Sequence, residues 1–144
     1  MSSYAYIYEQ CLSGNHDHKD LLLLHEKAWE LVKDHFRKKR ENLKIKFQDF
    51  SAGEKTSSDI EEIVQASHDG RVQALFIQKG KNLYGVYDAN QREVQVHNLS
   101  TRTTNTSWFN LAAVTTLLTG GDVFLNHQEK MPAMDTEVNA LLRY

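Results

Sequence analysis

The chain predicts an α/β fold in which a mixed sheet carries helices on its faces. Three observations predict it. A long stretch repeats apolar residues at helical spacing, two shorter stretches run from capping residues to glycine, and apolar runs of strand length alternate with them. With 144 residues, 40% hydrophobic and 25% charged, the chain is long enough to bury about two thirds of its unfolded surface.

The elements follow in order. Tyr4, Tyr6 and Tyr8 alternate with Ala5 and Ile7, which predicts a short strand with one aromatic face. Ser13-Gly14-Asn15-His16-Asp17 is a turn. From Asp20, the residues Leu21, Leu24, Ala28, Leu31, Val32, Phe36, Leu43, Phe47 and Phe50 form one apolar stripe. A helix of that extent, about 45 Å long, should stop at Ser51-Ala52-Gly53. Ser57-Ser58-Asp59 opens a second helix, with Ile60, Ile63, Val64 and Ser67 inward and Gly70 as its stop.

Val72–Ile77 reads as a strand, and 83–87 with 93–97 as a hairpin. The polar segment 99–105 reads as loop. A third helix should turn Trp108, Leu111, Ala112, Val114, Thr115 and Leu118 inward and end at Gly120-Gly121. A strand at 122–125, a surface loop at 128–134 and a last strand at 140–142 complete the series.

Composition narrows the function. A net charge of −2 and a pI near 6.4 give no overall attraction to nucleic acid. The longest aliphatic run, Leu21–Leu24, is far short of the roughly 20 residues that span a bilayer, so no membrane partner is expected. A single cysteine, Cys11, allows no internal disulfide, and a cytoplasmic protein is expected.

Chemical motifs are few. Neither nucleotide-binding glycine loop, nor a Gly-x-Ser-x-Gly elbow, nor His-Glu-x-x-His occurs. His16-Asp17-His18, near Cys11 and Asp20, has metal-ligand chemistry, but a solvated loop is the preferred reading. Cys11 reads as a half-buried inert thiol, and His25 and His35 as core or boundary residues. His68 sits in the last turn of the second helix, where a protonated ring suits the dipole. No catalytic, cofactor-binding or metal-ligating residue is therefore expected.

Two surfaces remain as partner-binding candidates. One is the aromatic edge of Tyr4, Tyr6 and Tyr8. The other is Arg37, Lys38, Lys39 and Arg40, although Asp34 and Glu41 stand at helical spacing to pair with Lys38 and Arg37.

A set of segments in order carries a family resemblance. They are 24–29, 59–63, 66–76, 110–123, 129–132 and 140–144, beginning Leu24-His25-Glu26-Lys27-Ala28-Trp29 and including Ser67-His68-Asp69-Gly70-Arg71-Val72 and Thr119-Gly120-Gly121-Asp122. Together they resemble the C-terminal domain of the bacterial homologues of archaeo-eukaryotic peptide-chain release factors, relatives of Pelota. The resemblance implies a three-layer α/β/α sandwich like the third domain of release factor and Pelota, here preceded by a long helix. In those relatives the domain recruits protein partners, notably translational GTPases, to the ribosome. Their peptide-releasing Gly-Gly-Gln belongs to another domain, and Gly120-Gly121-Asp122 is a helix end rather than that motif.

The family pattern also implies two preceding domains, so residues 1–19 are expected to be the remnant of a middle domain and 20–144 the domain proper. The expectation is a non-catalytic, cytoplasmic module that binds a protein or ribonucleoprotein partner. Its partner would be a translational GTPase or the ribosome, and it would pair as a homodimer through the first strand, the long helix, or both. A kink-turn RNA-binding module and a small metal-dependent hydrolase are the alternatives.

Overall fold

In a computed structural model the described residues are 8–14, 20–88, 93–97 and 106–144. Tyr4 and Tyr6 of the expected first strand, His16 to His18, the hairpin turn 89–92 and the whole of the loop 99–105 lie outside them. The chain divides into two units, Met1–Glu41 and Asn42–Tyr144, with the boundary inside the first helix.

Helix α1 (Leu21–Asp49) runs for 29 residues, as its apolar spacing predicts. Asp20 starts it: the Leu22 N–H donates to Asp20 Oδ1 at 3.0 Å, and the Leu24 N–H to its carbonyl at 3.0 Å. A side-chain oxygen thus satisfies one of the amides that a helix start leaves open. At the far end the Gly53 N–H donates to the Phe50 carbonyl, and the chain leaves the helix there.

The second unit is built on a four-stranded sheet with order β1 (Thr56–Ser57), β7 (Val138–Leu142), β2 (Val72–Gln78), β6 (Asp122–Asn126). β2 runs parallel to β6 and antiparallel to β7, and β7 runs antiparallel to β1, so the sheet is mixed. All five residues of β7 are buried, as are Val72 and Ala74–Ile77 of β2. A strand buried on both faces reads as a continuous apolar run, and Ala74-Leu75-Phe76-Ile77 is such a run.

Alternate residues of these strands feed two cores. On one face Leu75, Ile77 and Ala140 pack with Ile63 and Val64 of α2 (Ile60–His68) and Trp108 of α3 (Trp108–Leu118). On the other, Ala74, Phe76 and Leu141 pack with Phe47 of α1 and with Met131. Phe76 stacks on Phe124 at 5.4 Å and meets the edge of Phe47 at 6.5 Å. The expected α/β/α layering holds, with the last turns of α1 forming one outer layer. Met131 corrects the expectation of a surface loop: it is 1% exposed and fills the second core, because Phe47 alone leaves that face partly open.

Local signals set the helix limits. Asp59 caps α2, accepting from the Glu61 and Glu62 N–H groups, and Gly70 leaves it at φ +70°. Ser107 caps α3 through the Asn110 N–H, and Gly120 ends it at φ +79°. Within α3 the inward face differs from the expected one. Trp108, Phe109, Ala112 and Thr116 are buried, whereas Val114 and Leu118 are 47% and 82% exposed. The helix is apolar nearly all round, so no polar side marks which face turns inward.

A second sheet, order β4 (Glu93–His97), β3 (Tyr84–Asp88), β5 (Thr106–Ser107), contains the expected hairpin. No helix among the described residues is long and apolar enough to cross a membrane.

The turn after α3 gives a direct test of this packing. A Cβ at Gly121 would lie 2.6 Å from the Val72 carbonyl oxygen and 2.6 Å from Thr116 Cγ2. Neither the backbone of a central strand nor a buried threonine yields easily, so Gly121→Ala should destabilise by about 1–3 kcal/mol. At Gly120 a Cβ would make only an ordinary 3.8 Å contact with Arg143 Nη2, so Gly120→Ala meets mainly the left-handed penalty, about 1 kcal/mol. Urea midpoints of the two variants check this order.

Candidate functional site

The first unit presents an aromatic face on α1. The rings of Trp29 and Phe36 stack at 6.1 Å with 19° between their planes, and the two residues are 49% and 51% exposed. Leu22, Trp29 and Phe36 stand seven residues apart and so lie nearly in line along the helix. Leu24, Ala28, Leu31 and Val32 occupy a different, half-buried face. Phe36 was expected on the inward stripe, and its exposure is a correction. It sits about 100° around the helix from the line of Leu24, Leu31 and His35, which is enough to leave that stripe.

Tyr8 is 39% exposed; its hydroxyl donates to the Leu31 carbonyl at 3.2 Å, and its ring meets the edge of His35 at 5.6 Å. His25 and His35 are exposed rather than core residues, and Cys11 is exposed rather than half-buried. The polar ring nitrogens of an exposed histidine need no buried partner, so these positions cost the fold nothing.

Beside the aromatic pair lies the basic turn. Arg37 pairs with Asp34 at 2.9 Å and Arg40 with Glu41 at 3.6 Å, while Lys38 and Lys39 are exposed. These pairs replace the expected ones, Asp34 with Lys38 and Glu41 with Arg37. A guanidinium reaches back one short turn to a carboxylate three residues earlier, and that contact occupies Asp34. Glu30 and Lys33 form a further pair on the same unit. Each is solvent-exposed and contributes little to stability. What they do is neutralise part of the basic turn, leaving a mixed rather than a strongly cationic face.

In the second unit a groove of about 400 Å³ opens between α3 and β6. Ile77, Phe109, Ala113, Val123 and Leu125 form its apolar walls, and Lys79 and Lys81 stand at its rim. Lys81 pairs with Glu137 at 3.3 Å. Among the described residues, no group of three or more His, Cys, Asp or Glu side chains could hold a metal ion. The expected partner residues Tyr8 and Arg37 to Arg40 thus fall on one unit, and Tyr4 and Tyr6 lie outside the described residues. Sequence reasoning missed the exposure of the Trp29–Phe36 pair, for which the seven-residue spacing was the available signal.

Residues 1–71 match the family model of bacterial archaeo-eukaryotic release factor family 3. Over those residues the chain is similar to bacterial release-factor homologues. The family 3 span takes in α1, β1 and α2 and ends at Arg71, one residue before β2. Both the aromatic pair and the basic turn lie inside it. No curated protein matches the chain.

The exposure of the aromatic pair predicts a clear asymmetry on α1. Phe36→Ala should cost less than about 1 kcal/mol, as surface changes do. Phe47→Ala, at a residue only 4% exposed, should cost about 3–5 kcal/mol. Chemical denaturation of both variants measures the difference.

Proposed function

We propose that this chain is a non-catalytic binding module of a release-factor-like, translation-associated protein. It acts in the cytoplasm and engages a protein or ribonucleoprotein partner, the ribosome or a translational GTPase in particular. The family 3 match supports the translational setting. The observation that carries the binding role is the exposed, stacked Trp29–Phe36 pair beside Arg37, Lys38, Lys39 and Arg40. Aromatic and arginine side chains that keep large areas in water are the residues that dominate interfaces once covered. Tyr8, close to the same helix, adds an amphipathic ring to that surface. The chain works as a homodimer in this reading.

The RNA-binding alternative draws on the fold and the basic turn, and the Asp34–Arg37 and Arg40–Glu41 pairs weaken the second of these. The hydrolase alternative draws on His16, Asp17 and His18, which lie outside the described residues, and on His68.

Co-sedimentation with purified bacterial ribosomes tests the proposal. The wild-type chain should pellet with ribosomes, and Trp29→Ser with Phe36→Ser should weaken binding roughly tenfold or more, since each removes an interface aromatic. His16, His18 and His68 changed to alanine should leave binding intact. Equal binding by the aromatic variant, or none by the wild type, would contradict the proposal. Tight, steeply salt-dependent binding to a naked kink-turn RNA would favour the RNA-binding module instead.

A further inference from the structure

We infer that β6 is the self-pairing edge of this protein: two copies join β6 to β6 antiparallel, extending the sheet across a two-fold axis at Phe124. The inference rests on the homodimer reading above and gives it a surface, one on the second unit rather than on α1.

The backbone supplies the first observation. Among the described residues β6 pairs only with β2, so its other edge carries no strand. Along a strand, successive residues direct their N–H and C=O groups to opposite edges. The Asn126 carbonyl accepts from the Lys79 N–H at 2.8 Å, on the β2 side. Asp122 and Phe124 therefore also face β2, and Val123 and Leu125 direct theirs to the open edge. A strand edge of this kind is usually blunted by a lysine, a proline or a bulge. Between its ends β6 reads Val-Phe-Leu, with none of these. The opposite end of the sheet is β1, only two residues long.

Symmetry supplies the second. Antiparallel pairing centred on Phe124 sets Val123 opposite Leu125 of the second copy, and Leu125 opposite Val123. Those are the residues whose amides face outward in each copy, so each pair exchanges both N–H···O bonds. A register moved by one residue would set outward groups against inward ones. The strand is thus complementary to itself in the register that places the axis at its centre. In that register Asp122 lies beside the end of the second strand, next to the exposed Lys79 of the second copy, and opposite charges meet at both ends.

The side chains supply the third. A two-fold axis perpendicular to the sheet keeps both α3 helices on the same face. Ala113 of α3 lines the groove with Val123 and Leu125, so this flank of the helix adjoins the open edge. One turn on, Leu117 is 59% exposed, Val114 beside it is 47% exposed, and Leu125 is 61% exposed. Pairing the edges would bring these apolar side chains together across the axis. It would cover the side of α3 whose apolar character the monomer leaves in water.

Sedimentation velocity at micromolar concentrations tests this with three chains. The wild type should sediment as a dimer. Leu125→Pro removes an N–H from the open edge while leaving the β2 ladder whole, so the subunit should fold. Leu117→Lys, on an exposed helical position, sets like charges across the axis without touching the sheet. Both should raise the dimer dissociation constant roughly a hundredfold, with circular dichroism and cooperative unfolding retained. Should Leu125→Pro fail to fold, Leu117→Lys decides. If the wild type is a dimer and both folded variants remain dimers, β6 is not the interface, although the homodimer reading survives. A wild type that stays monomeric overturns both.

Discussion

Everything in the second unit depends on the burial of β2 and β7 from both sides. Leu75, Phe76, Ala140 and Leu141 are fully enclosed, and consecutive residues of a strand point to opposite faces. Such a pair of strands is stable only if each face of the sheet has its own cover. α2 and α3 supply one cover, with Trp108 at its centre. The other is assembled from parts distant in sequence, Phe47 at the end of α1 and Met131 in the segment before β7. This requirement explains why α1 is long: its last turns are core while its earlier residues belong to another unit. It also explains the tight glycine turn after α3, since Gly121 passes directly over the Val72 carbonyl.

The buried polar residues answer to the same constraint. Asn139 has no exposed surface, yet sits mid-strand in β7. Its Oδ1 accepts from Ser58 Oγ at 2.7 Å and Thr136 Oγ1 at 2.9 Å, tying the start of α2 and the last loop to the central strand. These two accepted bonds favour one arrangement of the neighbours, because any other would leave the buried oxygen unpaired as well as Nδ2, which has no partner among the described residues.

The sequence was readable where local chemistry dictates structure. The Asp59 cap, the stops at Gly70 and Gly120, the run from Val72 and the hairpin all follow from short-range rules, and the structure has each of them. It was less readable where tertiary packing chooses between equivalent faces. In α3 apolar side chains surround the helix, so Val114 and Leu118 looked as suited to the core as Phe109. On α1 Phe36 fitted an apolar stripe yet lies off it, and Met131 looked like loop because its partner, Phe76, is remote in sequence. The binding surfaces share that difficulty. Beyond the seven-residue spacing of Trp29 and Phe36, nothing local to Trp29 or Leu125 tells that their side chains face water; the placement of the neighbouring elements decides it. The family 3 match ends at Arg71, so the similarity to release-factor homologues rests on the segment before β2.

Amide hydrogen exchange on the native protein tests the central claim most directly, because it reads which backbone bonds the fold relies on. Amides of 74–77 and 139–142 should exchange only through global unfolding, and those near Phe47 should share much of that protection. Amides of 22–36 should exchange through smaller openings. Rapid exchange in β2 or β7, or equal protection along the whole of α1, would contradict an architecture founded on two strands covered from both faces.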